Sequence, residues 1–427
     1  MINSVFKFVQ GIVNLRGATD DTRIGNVEDR LKTESKLTSG VSNPLFDGYD
    51  RQRVSQPEVI YDARFIYDLR PLLTTSFTTS GGTITRDANT SSAQMNVTTT
   101  NGSRSTYQSK EYIHYIPGQT FESYITGRFS ANSANRKQRL GSFDNSNGVF
   151  FEYEDGDIYA VRRTSTSGSV VDSRTISSSW NIDKMDGTGP SGLTLDPDSQ
   201  QNYFIRYQWN GSGPIIWGLR INGIVIYVHK EQFSNTEETP WASTGDFPVR
   251  SEVINTATAA NSATLNIQCF SVLSNGAVFK AIQSHAIGRS NDAAINNSVF
   301  RPLISIRLKA AYNRGQILLL EPHVFADGTD NLECQVVLNG TLTGASWVDV
   351  PGNSIAQYSQ TATAISGGDV LFNFYVRGNS SSDTSKVEDL LKVVSDYAGV
   401  SDTLTLTAKS LDNNADVRGS LVFDEVF

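Results

Sequence analysis

The runs Ile215-Ile-Trp-Gly-Leu-Arg-Ile221 and Ile224-Val-Ile-Tyr-Val-His-Lys230 flank the dipeptide Asn222-Gly223. Both runs are rich in β-branched and aromatic residues, which favour strands. The Asn-Gly dipeptide provides two residues that tolerate a positive φ, as a two-residue hairpin turn requires. This stretch therefore predicts two antiparallel strands joined by a tight turn.

The same pattern recurs through the middle of the chain. Strands are predicted at Arg139–Phe143, Val149–Tyr153, Asp157–Arg163 and Asn202–Trp209, and turns at Asn147-Gly148 and Asp155-Gly156. Ser173–Pro197 is predicted to be a long ordered loop, because its Gly, Pro and Asp residues interrupt the alternation. Strands at this spacing without intervening helices predict a large jelly-roll-like antiparallel β-sandwich over residues 59–311.

A second β-rich block occupies residues 312–427. Its predicted strands are Ile317–Leu320, Glu333–Leu338, Val370–Val376, Thr403–Ala408 and Arg418–Phe423. One helix is predicted at Ser385–Tyr397, since apolar residues recur there at helical spacing. The block is predicted to be a smaller C-terminal β-sandwich, so the expected fold class is mainly β.

Residues 1–58 differ from this body and are predicted to form an N-terminal anchor and linker arm. An apolar strip at helical spacing is followed by a polar stretch over residues 16–58. The strip consists of Val5, Phe8, Val9, Ile12 and Val13. Because a helix this short is marginal by itself, we expect it to dock on a partner. Met1–Leu15 has no basic run and no cleavage site, so no signal peptide is expected.

Composition argues against several classes of protein. The 427 residues carry a net charge of −8 and have a pI of about 5.2, which disfavours nucleic acid as a partner. The longest apolar runs have the length of strands, so no membrane insertion is predicted. Two cysteines, Cys269 and Cys334, are too few for a disulfide framework or a thiolate zinc site.

Residues that could carry catalysis are sparse. The histidines have none of the spacings of a metal site, so no metal is predicted. They are His114, His229, His285 and His323. No phosphate loop, dinucleotide fingerprint or nucleophile elbow occurs, so neither a cofactor nor a catalytic residue is predicted. Glu152 and Glu154 share a predicted strand face, which leaves a glycosidase as an alternative to a solvated hairpin tip.

Binding residues are the other candidates. Trp180, Trp241 and Trp347 could stack on sugar rings or contact a partner, and packing in the core is the competing interpretation. Basic residues accompany the acidic hairpin, and we expect them to balance its charge or to pair across a subunit interface. They are Arg136, Lys137, Arg139, Arg162 and Arg163.

The block Asp186-Gly-Thr-Gly-Pro-Ser-Gly192 is the most specific of several distinctive stretches. The others are Asp21–Lys32, Lys110–Gln119, Ile125–Phe129, Arg136–Asp144, Asn147–Glu152, Val161–Gly168, Gly218–His229, Val336–Trp347 and Ser366–Gly368. Together they resemble virion structural proteins of tailed bacteriophages, which occur in tail, baseplate and fibre components. The resemblance covers most of the chain.

This resemblance implies a non-enzymatic structural component of the tail–baseplate or fibre apparatus, assembled in the bacterial cytoplasm and located in the virion. Its partners would be other virion proteins, reached through the N-terminal arm. Fibre proteins of this kind are often homotrimers, and a monomeric mass in solution would count against a trimer. The alternatives are a head or capsid fibre, and a lectin-like module that recognises host-surface glycan during attachment.

Overall fold

The computed structural model describes residues 57–131, 133–276, 282–289, 291–381 and 392–427. Their regular structure is antiparallel β, apart from two short 3-10 helices at Ser177–Ser179 and Ala310–Tyr312. The fold is mainly β, with a large jelly-roll-like sandwich followed by a smaller sandwich, as the sequence predicted. The proposed anchor residues Val5, Phe8, Val9, Ile12 and Val13 lie outside the described residues.

The first sandwich contains two sheets. Its strands are β1 (Glu58–Arg64), β2 (Thr74–Thr79), β3 (Thr83–Asp87), β4 (Ser92–Val97), β5 (Arg104–Ser109), β6 (Phe121–Arg128), β7 (Arg136–Phe143), β8 (Gly148–Glu154), β9 (Asp157–Thr164), β10 (Val171–Ile176), β11 (Gln201–Tyr207), β12 (Ile215–Ile221), β13 (Ile224–Glu231), β14 (Val249–Asn255) and β15 (Ala263–Ser274). One sheet has the order β13-β12-β11-β6-β15-β4-β3, with β1 also paired to β15, and the other has the order β10-β9-β8-β7-β14-β5-β2.

The second sandwich also has two main sheets, and these contain fewer strands. Its strands are β16 (Gln283–Gly288), β17 (Ala293–Ile295), β18 (Arg301–Leu308), β19 (Gln316–Asp327), β20 (Leu332–Leu338), β21 (Thr341–Thr343), β22 (Val348–Asp349), β23 (Ala356–Ser359), β24 (Ala364–Ser366), β25 (Asp369–Val376), β26 (Thr403–Ser410) and β27 (Ala415–Val426). A four-stranded sheet has β16, β17 and β19 around β27, and a six-stranded sheet has the order β22-β23-β18-β26-β20-β25. β21 and β24 form a separate pair.

Each sandwich has its own core between its sheets. In the first, Leu140 and Phe151 of the seven-stranded sheet belong to one buried cluster with Ile205 and Trp217 of the eight-stranded sheet. In the second, the cluster joins side chains of β27, such as Phe423, to those of the six-stranded sheet. Burial of this apolar surface is the main term that stabilises each sandwich.

Two of the three predicted hairpin turns are confirmed, whereas at Asn147-Gly148 only Gly148 has a positive φ and it already belongs to β8. Asn222 and Gly223 have φ values of 51° and 80°, and Asp155 and Gly156 have φ values of 53° and 91°. Two consecutive residues with positive φ produce the turn whose twist matches that of the strands it connects. Every strand predicted in the first and second blocks is present, with boundaries that differ by a few residues.

Three predictions about organisation need correction. β16, β17 and β18 precede residue 312, yet they pair with β27 and β26 of the second sandwich. The start of the loop predicted at Ser173–Pro197 belongs to β10. Of the helix predicted at Ser385–Tyr397, residues 385–391 lie outside the described residues. Residues 392–397 are not helical, because Val393 pairs with Ile317 and the chain is extended there.

Candidate functional site

The face of the seven-stranded sheet that points away from the core carries charged residues. Because side chains alternate along a strand, β7 directs Leu140 into the core and Arg139 to the opposite face. In the strand register, Arg139 lies directly between Glu252 on β14 and Glu152 on β8. Arg104 of β5 and Arg174 of β10 extend this series at its two ends. We call Arg104, Glu252, Arg139, Glu152 and Arg174 the charge ladder.

Each carboxylate of the charge ladder is held by two guanidinium groups. Arg139 donates through Nε to Glu152 Oε2 and through Nη1 to Glu252 Oε1, at 2.7 Å in each case. Arg104 bonds to the second oxygen of Glu252, and Arg174 Nη2 lies 2.6 Å from Glu152 Oε1. Glu152 and Glu252 are 0% and 1% exposed, so these interactions replace the water that the carboxylates lose on folding.

The electrostatic balance at Glu252 favours the ionised form. Burial alone would raise the pKa of this carboxyl, but the guanidinium groups of Arg139, Arg104 and Arg250 outweigh burial and lower the pKa to about 2. Burial would likewise lower the pKa of Arg139, and the two carboxylates beside it raise that pKa instead. Both partners therefore stay charged at neutral pH.

This arrangement does not fit the acid chemistry of a glycosidase. A glycosidase needs a carboxyl whose pKa is raised so that it can protonate the leaving group. The pKa of Glu252 is shifted in the opposite direction. Glu152 accepts a hydrogen bond from Arg139 through Oε2, and its Oε1 lies 2.6 Å from Arg174 Nη2 in an ion pair. Glu154, the other residue of the glycosidase alternative, pairs with Lys137 at 3.4 Å and with Arg174. All three carboxylates are therefore engaged in ion pairs with basic residues of the same chain.

Aromatic rings support the same guanidinium groups. Phe143, Phe150 and Val161 form a small buried cluster beside the ladder, on the face away from the main core. The guanidinium carbon of Arg139 lies 5.5 Å from the Phe150 ring centroid, and that of Arg250 lies 5.2 Å from the Phe143 centroid. Such stacking holds the planar groups in place while their edges bond to oxygen.

The second sandwich closes one end of this face through Tyr397. The Tyr397 ring stacks on Phe77 with 4.6 Å between centroids, and its hydroxyl accepts a hydrogen bond of 2.9 Å from Arg104. The guanidinium carbon of Arg250 lies 5.2 Å from the Tyr397 centroid. Arg314 adds an ion pair of 2.6 Å to Asp144. The charge ladder is thus continuous with the interface between the two sandwiches.

The three candidate tryptophans have different environments. Trp180 and Trp241 are 3% and 1% exposed and belong to the core of the first sandwich, so neither presents a ring face to a sugar. For these two residues the competing interpretation, packing in the core, is confirmed, and the possible glycan contact is wrong. Trp347 is half-buried, and the guanidinium carbon of Arg307 lies 4.2 Å from its ring centroid. One face of that indole is occupied by the chain itself.

The specific block Asp186–Gly192 wraps around a buried carboxylate. Asp183 is 2% exposed, and its two oxygens accept hydrogen bonds from the backbone N–H groups of Met185 and Ser191, at 2.9 Å and 2.8 Å. A Cβ on Gly189 would overlap Asp183 Oδ1, so only glycine fits there. The predicted ordered loop is confirmed from Ser177 onward, and its order comes from Asp183.

The histidines and cysteines that burial affects most are His229 and Cys334. His229 is 6% exposed, and burial lowers its pKa to about 4, so it is neutral at pH 7. Cys334 is buried, and burial raises the pKa of its thiol to about 12, whereas Cys269 is half-buried. Within the part of the chain that the structure describes, no three His, Cys, Asp or Glu side chains converge on a metal-sized site.

Sequence reasoning found two of the five residues of the charge ladder and missed the other three. It placed Arg139 beside the acidic hairpin and expected charge balance, which the contacts with Glu152 confirm. It missed Arg104, Arg174 and Glu252, because such partners are distant along the chain; Glu252 lies 113 residues from Arg139. The available signal was charge at alternate positions of one strand, Arg250 with Glu252 on β14.

No protein-family model matches the chain, and no curated protein matches it. Solved structures with similarity include a legume lectin-like domain from Entamoeba histolytica, 12% identical with a TM-score of 0.31, covering 51% of this chain and 98% of that chain. A β-glucanase from Bacillus licheniformis is 7% identical with a TM-score of 0.33, covering 51% of this chain and 98% of that chain. No helix within the described ranges is long and apolar enough to cross a membrane.

Proposed function

We propose that this chain is a non-enzymatic structural component of a tailed-phage virion, in the tail–baseplate or fibre apparatus, and that its N-terminal arm attaches it to the particle. The resemblance of Asp186–Gly192 and the other quoted stretches supports the class of protein. The observation that carries the structural role is the charge ladder, whose buried carboxylates Glu152 and Glu252 are both occupied by arginines of the same chain.

A scaffold must hold its modules in a fixed relation, and the contacts between the sandwiches suit that task. Tyr397, Arg314 and Lys392 of the second sandwich contact Phe77, Asp144 and Glu111 of the first. The first sandwich would form the body of the component, and the second would face the next virion protein or the host surface. Of the tryptophans on which the lectin-like alternative rested, Trp180 and Trp241 belong to the core and only Trp347 is half-buried.

Immunogold labelling of purified particles tests this proposal. Particles of the phage that encodes the chain are labelled with an antibody raised against residues 312–427, and antibody pre-absorbed with the purified chain provides the control. We expect label at the tail end or on projecting fibres. Label over the head would replace the tail assignment by the capsid-fibre alternative. A chain found only in the soluble lysate, and absent from the particles, would overturn the virion proposal.

A further inference from the structure

A cleft lies between the two sandwiches, on the side of the Tyr397 interface where β2 and β5 approach the segment before β26. Its cavity of about 500 Å³ falls in the size range of ligand pockets. Leu69, Pro71 and Ile84 of the first sandwich and Val400 of the second provide apolar walls. The polar groups at the cleft include those of Ser76, Lys110, Asn339, Asp396, Ser401 and Asp402.

Asp402 is the most unusual of these groups. Its side chain is only 8% exposed, and Oδ1 accepts hydrogen bonds from Lys110 Nζ at 3.1 Å and from Asn339 Nδ2 at 2.7 Å. Its second oxygen, Oδ2, is buried and has no hydrogen-bond partner among the described residues. Buried carboxylate oxygens are rarely left without a donor, because the group loses its hydration without compensation. Asp402 Oδ2 can therefore take a donor that the described residues do not supply.

The chemistry of the cleft selects the class of donor. The ammonium group of Lys110 lies beside Asp402, which disfavours a bare cation, and no three metal-ligating side chains converge among the described residues. A sugar hydroxyl can donate to Asp402 Oδ2 and accept from an N–H of Lys110 at the same time. The C–H face of a sugar ring is apolar and fits the walls formed by Leu69 and Val400.

We propose that this cleft is a carbohydrate-binding site, that it takes one sugar residue of a neutral glycan, and that Asp402 is its hydrogen-bond acceptor. Lys110 and Asn339 are positioning residues, because their contacts fix the orientation of the carboxylate. This site uses none of the tryptophans expected from the sequence, and it is independent of where the chain is located in a particle.

Saturation-transfer NMR on the full chain tests the site, with the methyl glycosides of D-glucose, D-galactose and N-acetyl-D-glucosamine as probes over a concentration series. Asp402→Asn replaces the free acceptor by a donor, and Ser76→Phe places a ring in the cleft without touching Asp402. Asp292→Asn is the control, since Asp292 pairs with Arg418 in the second sandwich and is not a cleft residue. Thermal unfolding confirms that each variant is folded.

We expect at least one glycoside to bind, and Asp402→Asn and Ser76→Phe to weaken that binding about tenfold or more while Asp292→Asn leaves it unchanged. Should Asp402→Asn fail to fold, Ser76→Phe alone decides. Equal binding to all variants would place the sugar elsewhere and overturn the proposal. The absence of binding by all three glycosides would also overturn it, as would a rise in melting temperature with calcium chloride but with none of the sugars.

Discussion

Arg139 lies between two buried carboxylates, and its surroundings show what the charge ladder contributes to stability. Removing an ion from water costs several kcal/mol, and only close, hydrogen-bonded partners offset that cost. Arg139 makes two such bonds of 2.7 Å, to Glu152 and Glu252. Because each carboxylate also contacts a second arginine, the loss of one member leaves a buried charge only partly compensated.

Glu252→Gln tests this balance through pH. The pKa of Glu252 is lowered from 4.5 to about 2, so its contribution is fully present above pH 4.5 and is lost as the pH falls through 2. We expect the variant to lose about 3–5 kcal/mol of unfolding free energy at pH 7, as for a broken buried pair. The difference from the wild type should shrink between pH 4.5 and pH 2. Urea unfolding followed by circular dichroism measures both.

Glu238→Gln is the matched control for this prediction, because Glu238 is exposed. Its replacement should change the unfolding free energy by no more than about 0.5 kcal/mol at either pH. A Glu252→Gln variant that is equally destabilised at pH 7 and pH 2 would show that the loss comes from packing and not from the charge.

At the scale of the element, the loop that contains Asp186–Gly192 shows how one buried side chain can order an irregular segment. Asp183 accepts backbone hydrogen bonds from Met185 and Ser191, six residues apart, and thereby sets the path of the chain between them. Met185 also accepts from Leu195 N at 2.8 Å. Such side-chain hydrogen bonds replace the backbone hydrogen bonds that pairing with a neighbouring strand would provide.

Gly189→Ala should disorder this loop, because the added Cβ overlaps the Asp183 carboxylate. We expect a loss of about 1–3 kcal/mol in unfolding free energy, together with faster hydrogen exchange at the Met185 and Ser191 amides. In Gly288→Ala, the control, the nearest atom to the new Cβ is 3.6 Å away, an ordinary contact. If the cost of Gly189→Ala persists in an Asp183→Ala background, the overlap with Asp183 is not its cause.

At the scale of the whole molecule, the two sandwiches have separate cores but share a polar and aromatic interface. Because each sandwich has its own apolar core, neither core by itself couples the unfolding of one sandwich to that of the other. The coupling therefore depends on the few side chains that bridge the two sandwiches. Tyr397 is the central one, since it contacts Phe77, Arg104 and Arg250 on the seven-stranded sheet.

Tyr397→Ala should uncouple the sandwiches. We expect differential scanning calorimetry to show one cooperative transition for the wild type and two for the variant, with a loss of about 1–3 kcal/mol for the less stable part. Tyr375→Ala is the control, because Tyr375 lies on β25 and is 68% exposed. Two transitions in the wild type, or a single transition in Tyr397→Ala, would contradict the assigned coupling.

The sequence by itself determined eleven of the described strands, the hairpin turns at Asn222-Gly223 and Asp155-Gly156, and which residues share a strand face. These properties are local, since the period of two and the tolerance for positive φ at Asn222 and Gly223 depend on neighbouring residues alone. The balance of charge between Arg139 and Glu152 was also predictable, because one hairpin brings them together.

Only the tertiary structure decided the rest. It placed Glu252 beside Arg139, buried Trp180 and Trp241 in the core, and extended Val393 against Ile317 where helical spacing had predicted a helix. Alternation specifies which side chains lie on the same face, but the surface that covers that face comes from residues distant in the sequence. Burial, ion pairing and the cleft at Asp402 all depend on which distant residues pack against a strand face. They therefore follow from the packing of strands, which the local pattern does not specify.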